Sequence, residues 1–270
     1  MEPRAWRARA HNQATASENK IHADEVARAY GFRGGLVPGV TVYAYLVHPA
    51  LEAWGADWLA RGRADVVLHR PLYDGKEFTV EVKSHGGDAY GGRVIDGEGV
   101  ECATGRVVLP AAPADAPLPR GDAPAPALER RPEATRAALE RLRAQGMGAV
   151  ELSWDGTGEM DRYTADPSDM VDLVRPDRGG FANPSFTLGL ANAALARNVR
   201  LGPWIHVQSD VVHHAPVPLG ARLRIESSVA DLFARGGHEF VDLDVHVYRV
   251  PETPALSARH RAIYRLRPPR

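Results

Sequence analysis

Two stretches of this chain read as versions of one another at a fixed spacing, and that repeat limits the fold more than any other feature. His69-Arg70-Pro71-Leu72-Tyr73-Asp74-Gly75 matches His214-Ala215-Pro216-Val217-Pro218-Leu219-Gly220 at an offset of 145 residues. The same offset lays Val66 and Val67 on Val211 and Val212, Phe78 on Leu223, and Val80 on Ile225. It also carries Pro38-Gly39 onto Asn183-Pro184, where Asn is a good N-cap and Pro suits the first helical position. A chain of 270 residues can bury one large core or two small ones. The repeat points to two copies of one unit.

Within each copy the hydrophobic pattern changes from helical to alternating. Pro38-Gly39 opens an almost wholly apolar run to Trp54, with Val40, Tyr43, Ala44, Val47 and Leu51 on one helical face. A helix over Gly39 to Trp54 that is apolar on most sides is expected to be wrapped by a sheet. Pro49 should kink or break it, because proline has no N–H to give and clashes one turn back. Ser185 to Val199 is the matching second helix. Strands are expected at Ala64 to Arg70, Glu77 to Lys83 and Arg93 to Leu109, separated by Asp74-Gly75 and Ala103-Thr104-Gly105. The second copy should have them at Pro203 to His213, Ala221 to Asp231, His238 to Arg249 and Leu256 to Leu266, with Arg235-Gly236-Gly237 as a tight turn. Ala5 to Ala14 reads as an edge strand or an irregular lead-in, and Ala23 to Tyr30 as a short helix stopped by Gly31. Pro110 to Pro132, dense in Pro and Ala, reads as a linker, followed by a helix over Glu133 to Gln145. The expected class is therefore α+β, with a first unit over 1–109, a linker and helix over 110–147, and a second unit over 148–270.

The charge balance excludes some partners. With 33 basic against 34 acidic residues and a net charge of −1, no field draws the chain to nucleic acid or to an anionic membrane. Cys102 is the single cysteine, which rules out an intramolecular disulfide or a thiolate metal cluster and fits a reducing compartment. No apolar run reaches the ~18 residues that would span a bilayer. A soluble, cytoplasmic protein without metal or cofactor is the expectation.

The chemistry gathers between Ser17 and Gly39. Asn19 and His22 stand three apart ahead of a short helix, and Pro38-Gly39 then opens the long one. Histidine trades a proton near neutral pH, and an asparagine amide can hold a water or a carbonyl beside it. Gly39 and Val40 would offer free N–H groups at a helix start, suited to a developing oxyanion; a tight turn needing glycine for packing is compatible with that. Taken alone, His22 could equally cap a helix or face water. Asp24 is expected to cap the helix beside it. Trp204 and His206, two apart in a strand, would share a face and line a pocket, although a satisfied core histidine is an equal reading of His206. His69 and His214 hold equivalent repeat positions and read as fold. Adjacent His213 and His214 would face opposite sides of a strand, against a metal site.

The spacing Ser17, Asn19, His22, Asp24, together with the turn from Gly34 to Gly39, resembles the motif of the MaoC-like hydratases and dehydratases of the hotdog fold. That motif is Asp-x-Asn-Pro-x-His-x-Asp; here Ser17 stands at the catalytic Asp and Lys20 at the Pro. The resemblance implies a double hotdog whose two sheets join side by side, with further association into a homodimer open. It implies an acyl thioester of coenzyme A or of a carrier protein as substrate, His22 as general acid or base, and Asn19 positioning substrate or water. Ser17 can hold a water but cannot replace a carboxylate; Glu18 would substitute only if turned inward. His22 shifted by the repeat offset falls on Pro167, and Thr164 to Asp169 holds no histidine, so one site at the seam between halves is expected. Hydration or dehydration of the acyl chain leads; thioester hydrolysis and non-catalytic acyl binding are the alternatives.

Overall fold

The computed structural model describes residues 1–268. The first half runs β1 (Trp6–Arg9), α1 (Asp24–Ala29), α2 (Gly39–Arg61), β2 (Arg63–Leu68), β3 (Glu77–Ser84), β4 (Ala89–Asp96) and β5 (Glu101–Val108). After α3 (Arg136–Gln145) come β6 (Val150–Ser153), α4 (Pro184–Asn198), β7 (Ile205–His213), β8 (Arg222–Arg235), β9 (His238–Arg249) and β10 (Thr253–Arg265). All ten strands form one antiparallel sheet in the order β1-β3-β4-β5-β2-β7-β10-β9-β8-β6. The order reads the same from both ends once the repeat is applied. Each half is a long helix cradled by its own strands, the double hotdog plan.

The seam is a strand pair. β2 and β7, repeat equivalents, align antiparallel from Arg63 opposite Val212 to Val67 opposite Gln208, so neither half presents an unpaired edge there. At the outer ends, β1 sets Trp6 opposite Val80 and β6 sets Val150 opposite Ile225. Val80 and Ile225 are repeat partners, which makes the short N-terminal strand part of the duplicated unit. Behind the sheet α2 meets α4 through Thr41 and Ser185, whose hydroxyls lie 3.0 Å apart, and Gln13 Nε2 donates to both, at 2.6 and 3.1 Å.

Three expectations need correction. Pro49 does not break α2; the residues from Val40 to Leu51 are all buried, and their packing holds the helix through it. The break comes at Gly55, with φ 55° and ψ −134°, a conformation that glycine adopts without a Cβ clash. The span Arg93 to Leu109 is two strands, parted at Gly97-Glu98-Gly99, where Asp96 Oδ1 accepts from the N–H of Glu98 at 2.9 Å and of Val100 at 2.8 Å. Ala103-Thr104-Gly105 is no separator but lies inside β5: a Cβ on Gly105 would sit 2.0 Å from the Asp65 carbonyl oxygen and 2.6 Å from Leu46 of the central helix. The glycine there serves close approach.

The Pro/Ala-rich stretch after β5 is docked rather than free. The buried Glu226 carboxylate accepts from the backbone N–H groups of Arg120, Gly121 and Asp122 at 2.6, 3.0 and 3.2 Å. Its helix begins at Arg136, where the Thr135 hydroxyl caps Ala138 N–H. No helix is long and apolar enough to cross a membrane among the described residues.

Candidate active site

Asn19 starts a single 3-10 turn, Lys20–His22, by accepting from the Ile21 N–H. Neighbouring segments pin His22 from behind. Its carbonyl accepts from Asn12 Nδ2 at 2.9 Å, and Gly35 backs directly onto it, since a Cβ there would lie 2.1 Å from that oxygen. Asp24 Oδ1 accepts from Gly35 N–H at 2.8 Å while Oδ2 pairs with Arg28. Asp24 therefore fastens the Gly34-Gly35 turn against His22 and makes no cap on α1, contrary to its reading from sequence.

The ring of His22 has a defined tautomer. Nδ1 lies 2.7 Å from the Leu36 carbonyl, which can only accept, so Nδ1 carries the proton and Nε2 keeps its lone pair. Burial lowers the pKa of the imidazole from its ordinary value; the bond to Leu36 works in the other direction without cancelling it. At neutral pH the ring is an uncharged base. Its Nε2 receives a 3.3 Å contact from Asn19 Nδ2.

Asn19 reaches across the seam as well. Its Nδ2 donates to the Trp204 carbonyl at 3.0 Å and its Oδ1 accepts from the Trp204 N–H at 3.2 Å. Trp204 thus meets Asn19 through its backbone, just ahead of β7. Ser17 donates its hydroxyl to the Asn19 carbonyl at 3.2 Å, and Glu18 points outward to Arg131 at 3.3 Å. The ring nitrogens of His22 meet an amide and a carbonyl, not a carboxylate.

Two cavities share this corner. One of about 350 Å³ runs from His22, Asn19, Ser17 and Val40 along α4, where Gly189, Ala193 and Ala196 leave room. The other, about 190 Å³, lies under Gly39, with Trp204 and His206 on its wall. A Cβ on Gly39 would come within 2.5 Å of Leu68 and 2.7 Å of His206 Nδ1, so close packing alone requires glycine at the helix start. The Gly39 and Val40 N–H groups have no helical acceptor preceding them, since the first bonds to Pro38 O come from Thr41 and Val42. A larger groove of about 860 Å³ opens on the outer side, but charged residues such as Arg33, Glu98, Arg28 and Asp24, already paired with one another, pave it.

His206 belongs to a buried histidine cluster as well as to the cavity wall. Its Nε2 and the Nδ1 of His260 lie 2.8 Å on either side of the Ser209 hydroxyl, and the two rings stack at 4.2 Å. His69 and His214 repeat each other in detail: each backbone N–H bonds a strand carbonyl, Cys102 and Ala255, and each Nε2 meets a hydroxyl, of Thr104 and Ser257. His213 Nε2 lies 3.1 Å from the Tyr43 hydroxyl.

One residue of the corner escaped the sequence reading. Asn192, on the cavity face of α4, borders both cavities together with His22, Asn19 and Trp204. The repeat offers the only signal for it, since the offset lays Asn192 on the apolar Val47.

No family model matches the chain, and no curated sequence matches it. Solved structures do. A conserved protein of Mycobacterium tuberculosis with a double hotdog fold superposes with a TM-score of 0.60 at 17% identity, covering 97% of this chain and 96% of that one. A MaoC domain protein assigned as a dehydratase from Chloroflexus aurantiacus gives 0.58 at 10% identity, covering 98% and 96%. A protein assigned as an oleoyl thioesterase from Lactobacillus plantarum gives 0.51 at 11% identity, covering 97% and 96%. At such identities the likeness establishes the double hotdog fold, which proteins named for dehydration and for thioester hydrolysis share.

Proposed function

We propose that this chain catalyses reversible hydration of a 2-enoyl thioester, or dehydration of the 3-hydroxyacyl form, with His22 as the proton carrier and coenzyme A or a carrier protein bearing the acyl group. The observation that carries this reading is the tautomer of His22: Nδ1–H is committed to Leu36, and a basic Nε2 is left at a corner shared by two cavities and a helix start.

In hydration, the incoming water displaces the weak 3.3 Å contact from Asn19, and the Nε2 lone pair takes a proton from that water as its oxygen bonds to C3 of the enoyl group. The electron pair moves to the thioester oxygen, where the free N–H groups of Gly39 and Val40 would stabilise the enolate. Its collapse draws the proton from Nε2 onto C2, so one base serves both steps and the ring returns to neutral. This economy suits a site in which Ser17 stands in place of a carboxylate partner to His22. The Nδ1 bond to Leu36 would keep Nε2 aimed, and Asn19 would hold the seam closed around the acyl group.

Ser17 suits a second reading equally. Its hydroxyl is turned to the Asn19 carbonyl, and hydrolysis needs only one water-activating base and an oxyanion site. His22 would then take the water proton as oxygen bonds to the thioester carbon, and return it to the departing thiolate when the C–S bond breaks.

Loss of enoyl absorbance and release of free thiol, followed together over a panel of trans-2-enoyl-CoAs and saturated acyl-CoAs, separate the two. Enoyl loss without thiol supports the hydratase, and thiol release from saturated esters supports the thioesterase. Neither, with binding retained, overturns both in favour of a binding protein.

A further inference from the structure

The two central helices are repeat equivalents, yet they differ in character at one equivalent position. On α2 the position is Val47, fully buried. Nearby, Trp6 stacks on His48 at 3.7 Å and the Tyr163 hydroxyl bonds His48 at 2.9 Å, so rings fill this region. On α4 the equivalent is Asn192, and the space beside it is open.

Two departures from the repeat therefore converge. His22 stands where the other half has Pro167, and Asn192 stands where the other half has Val47. Both border the same pair of cavities. Among the described residues the buried Oδ1 of Asn192 has no hydrogen-bond partner. A mid-helix asparagine costs helix stability relative to leucine or alanine, and an unsatisfied buried carbonyl costs more. The neighbouring Asn198 shows the structural alternative: its amide donates to the carbonyls of Ala194 and Gly148 and accepts from the Gly148 N–H. Asn192 does none of this. Its Oδ1 lacks a partner among the described residues, and its carboxamide belongs to a side chain that borders both cavities.

We propose that the Asn192 carboxamide hydrogen-bonds the 3-hydroxyl group of a 3-hydroxyacyl thioester, and so makes the site select hydroxylated over saturated acyl chains. The inference rests on the hydratase reading and deepens it. The hydroxyl oxygen is the atom that hydration adds at C3, so the residue that holds it also holds the incoming water. Asn192 is a substrate-binding group supplied by the second half to a proton carrier supplied by the first.

The test is a titration with 3-hydroxyhexanoyl-CoA and hexanoyl-CoA in a His22→Ala background that blocks turnover, with and without Asn192→Leu. The hydroxylated ester is expected to bind more tightly than the saturated one, and Asn192→Leu to abolish that preference by weakening the hydroxylated ester about tenfold. The melting temperature should hold or rise, because an unsatisfied polar group has been replaced by an apolar one. Asn192→Ala, which adds no bulk, should lose the same preference. If both esters bind and their ratio is unchanged by either substitution, the role of Asn192 is overturned while the hydratase reading stands. If the unsubstituted chain neither binds the two esters nor hydrates the enoyl-CoA, the reading itself has failed and the inference with it.

Discussion

Asn19 and Trp204, which lie 185 residues apart, exchange two hydrogen bonds across the seam, amide to carbonyl at 3.0 Å and backbone N–H to amide oxygen at 3.2 Å. A third contact from the same amide reaches His22 Nε2. Only a carboxamide has the donor and acceptor for this. In Asn19→Asp one oxygen would face the Trp204 carbonyl, so a bond becomes a repulsion. Stability should fall by about 1–3 kcal/mol, read from urea unfolding, and turnover by about tenfold or more as His22 loses its alignment. Unchanged values for both would mean that the amide is dispensable.

His22→Ala should lower turnover by about 10²- to 10⁴-fold, the usual loss for a general base, with the melting temperature nearly unmoved. The pH profile adds an independent check. Catalysis needs the neutral ring, and burial lowers its pKa. Activity should therefore fall on acidification with a midpoint below the ordinary histidine value of about 6.5, and this limb should vanish in the variant. A midpoint above that value contradicts the assignment.

Gly35→Ala tests how the site is held. The new Cβ would meet the His22 carbonyl at 2.1 Å, a contact with backbone that no rotamer relieves. The His22 turn must shift, and turnover should drop by about 10²-fold. Gly87→Ala is the control: nothing lies within 4 Å of the place its methyl would take, and its stability should stay within about 0.5 kcal/mol. Equal behaviour of the two variants would dismiss the packing argument.

Acid should unfold the protein through its buried histidines. Burial pushes His206 and His213 down to about 3, and His260 well below its ordinary value. Unfolded, each takes a proton near pH 6.5, so below that pH the unfolded chain binds more protons than the native one. Their contribution is fully present above pH 6.5 and is lost as pH falls toward about 3, at up to about 1.4 kcal/mol per pH unit for each group. Denaturant midpoints measured from pH 7.5 to 4 should show this slope, and His213→Phe should reduce it. A flat profile would mean that the rings take up protons in the native state at their ordinary pKa.

The repeat at constant spacing and the apolar helix over Gly39 to Trp54 were enough to specify two helix-in-sheet halves, because apolar runs, alternation and turn residues are local properties of the chain. The stretch from Asn19 to Gly39 could be picked out as a candidate site for the same reason: cap, imidazole and helix start are neighbours in sequence. Three things were not local. The continuity of the helix through Pro49 depends on the packing of the buried residues around it, which outweighs the lost N–H. Gly105 looked like a turn because the carbonyl of Asp65 and the side chain of Leu46, which forbid a Cβ there, come from distant segments. The partners of the site, the Trp204 backbone and Asn192, lie about 170 residues or more beyond Asn19 and His22 and reach them only once β2 and β7 pair. The sequence determined which residues could do chemistry; the closing of the seam decided which of them share a cavity, since a hydrogen bond or a cavity wall depends on distance in space and not along the chain.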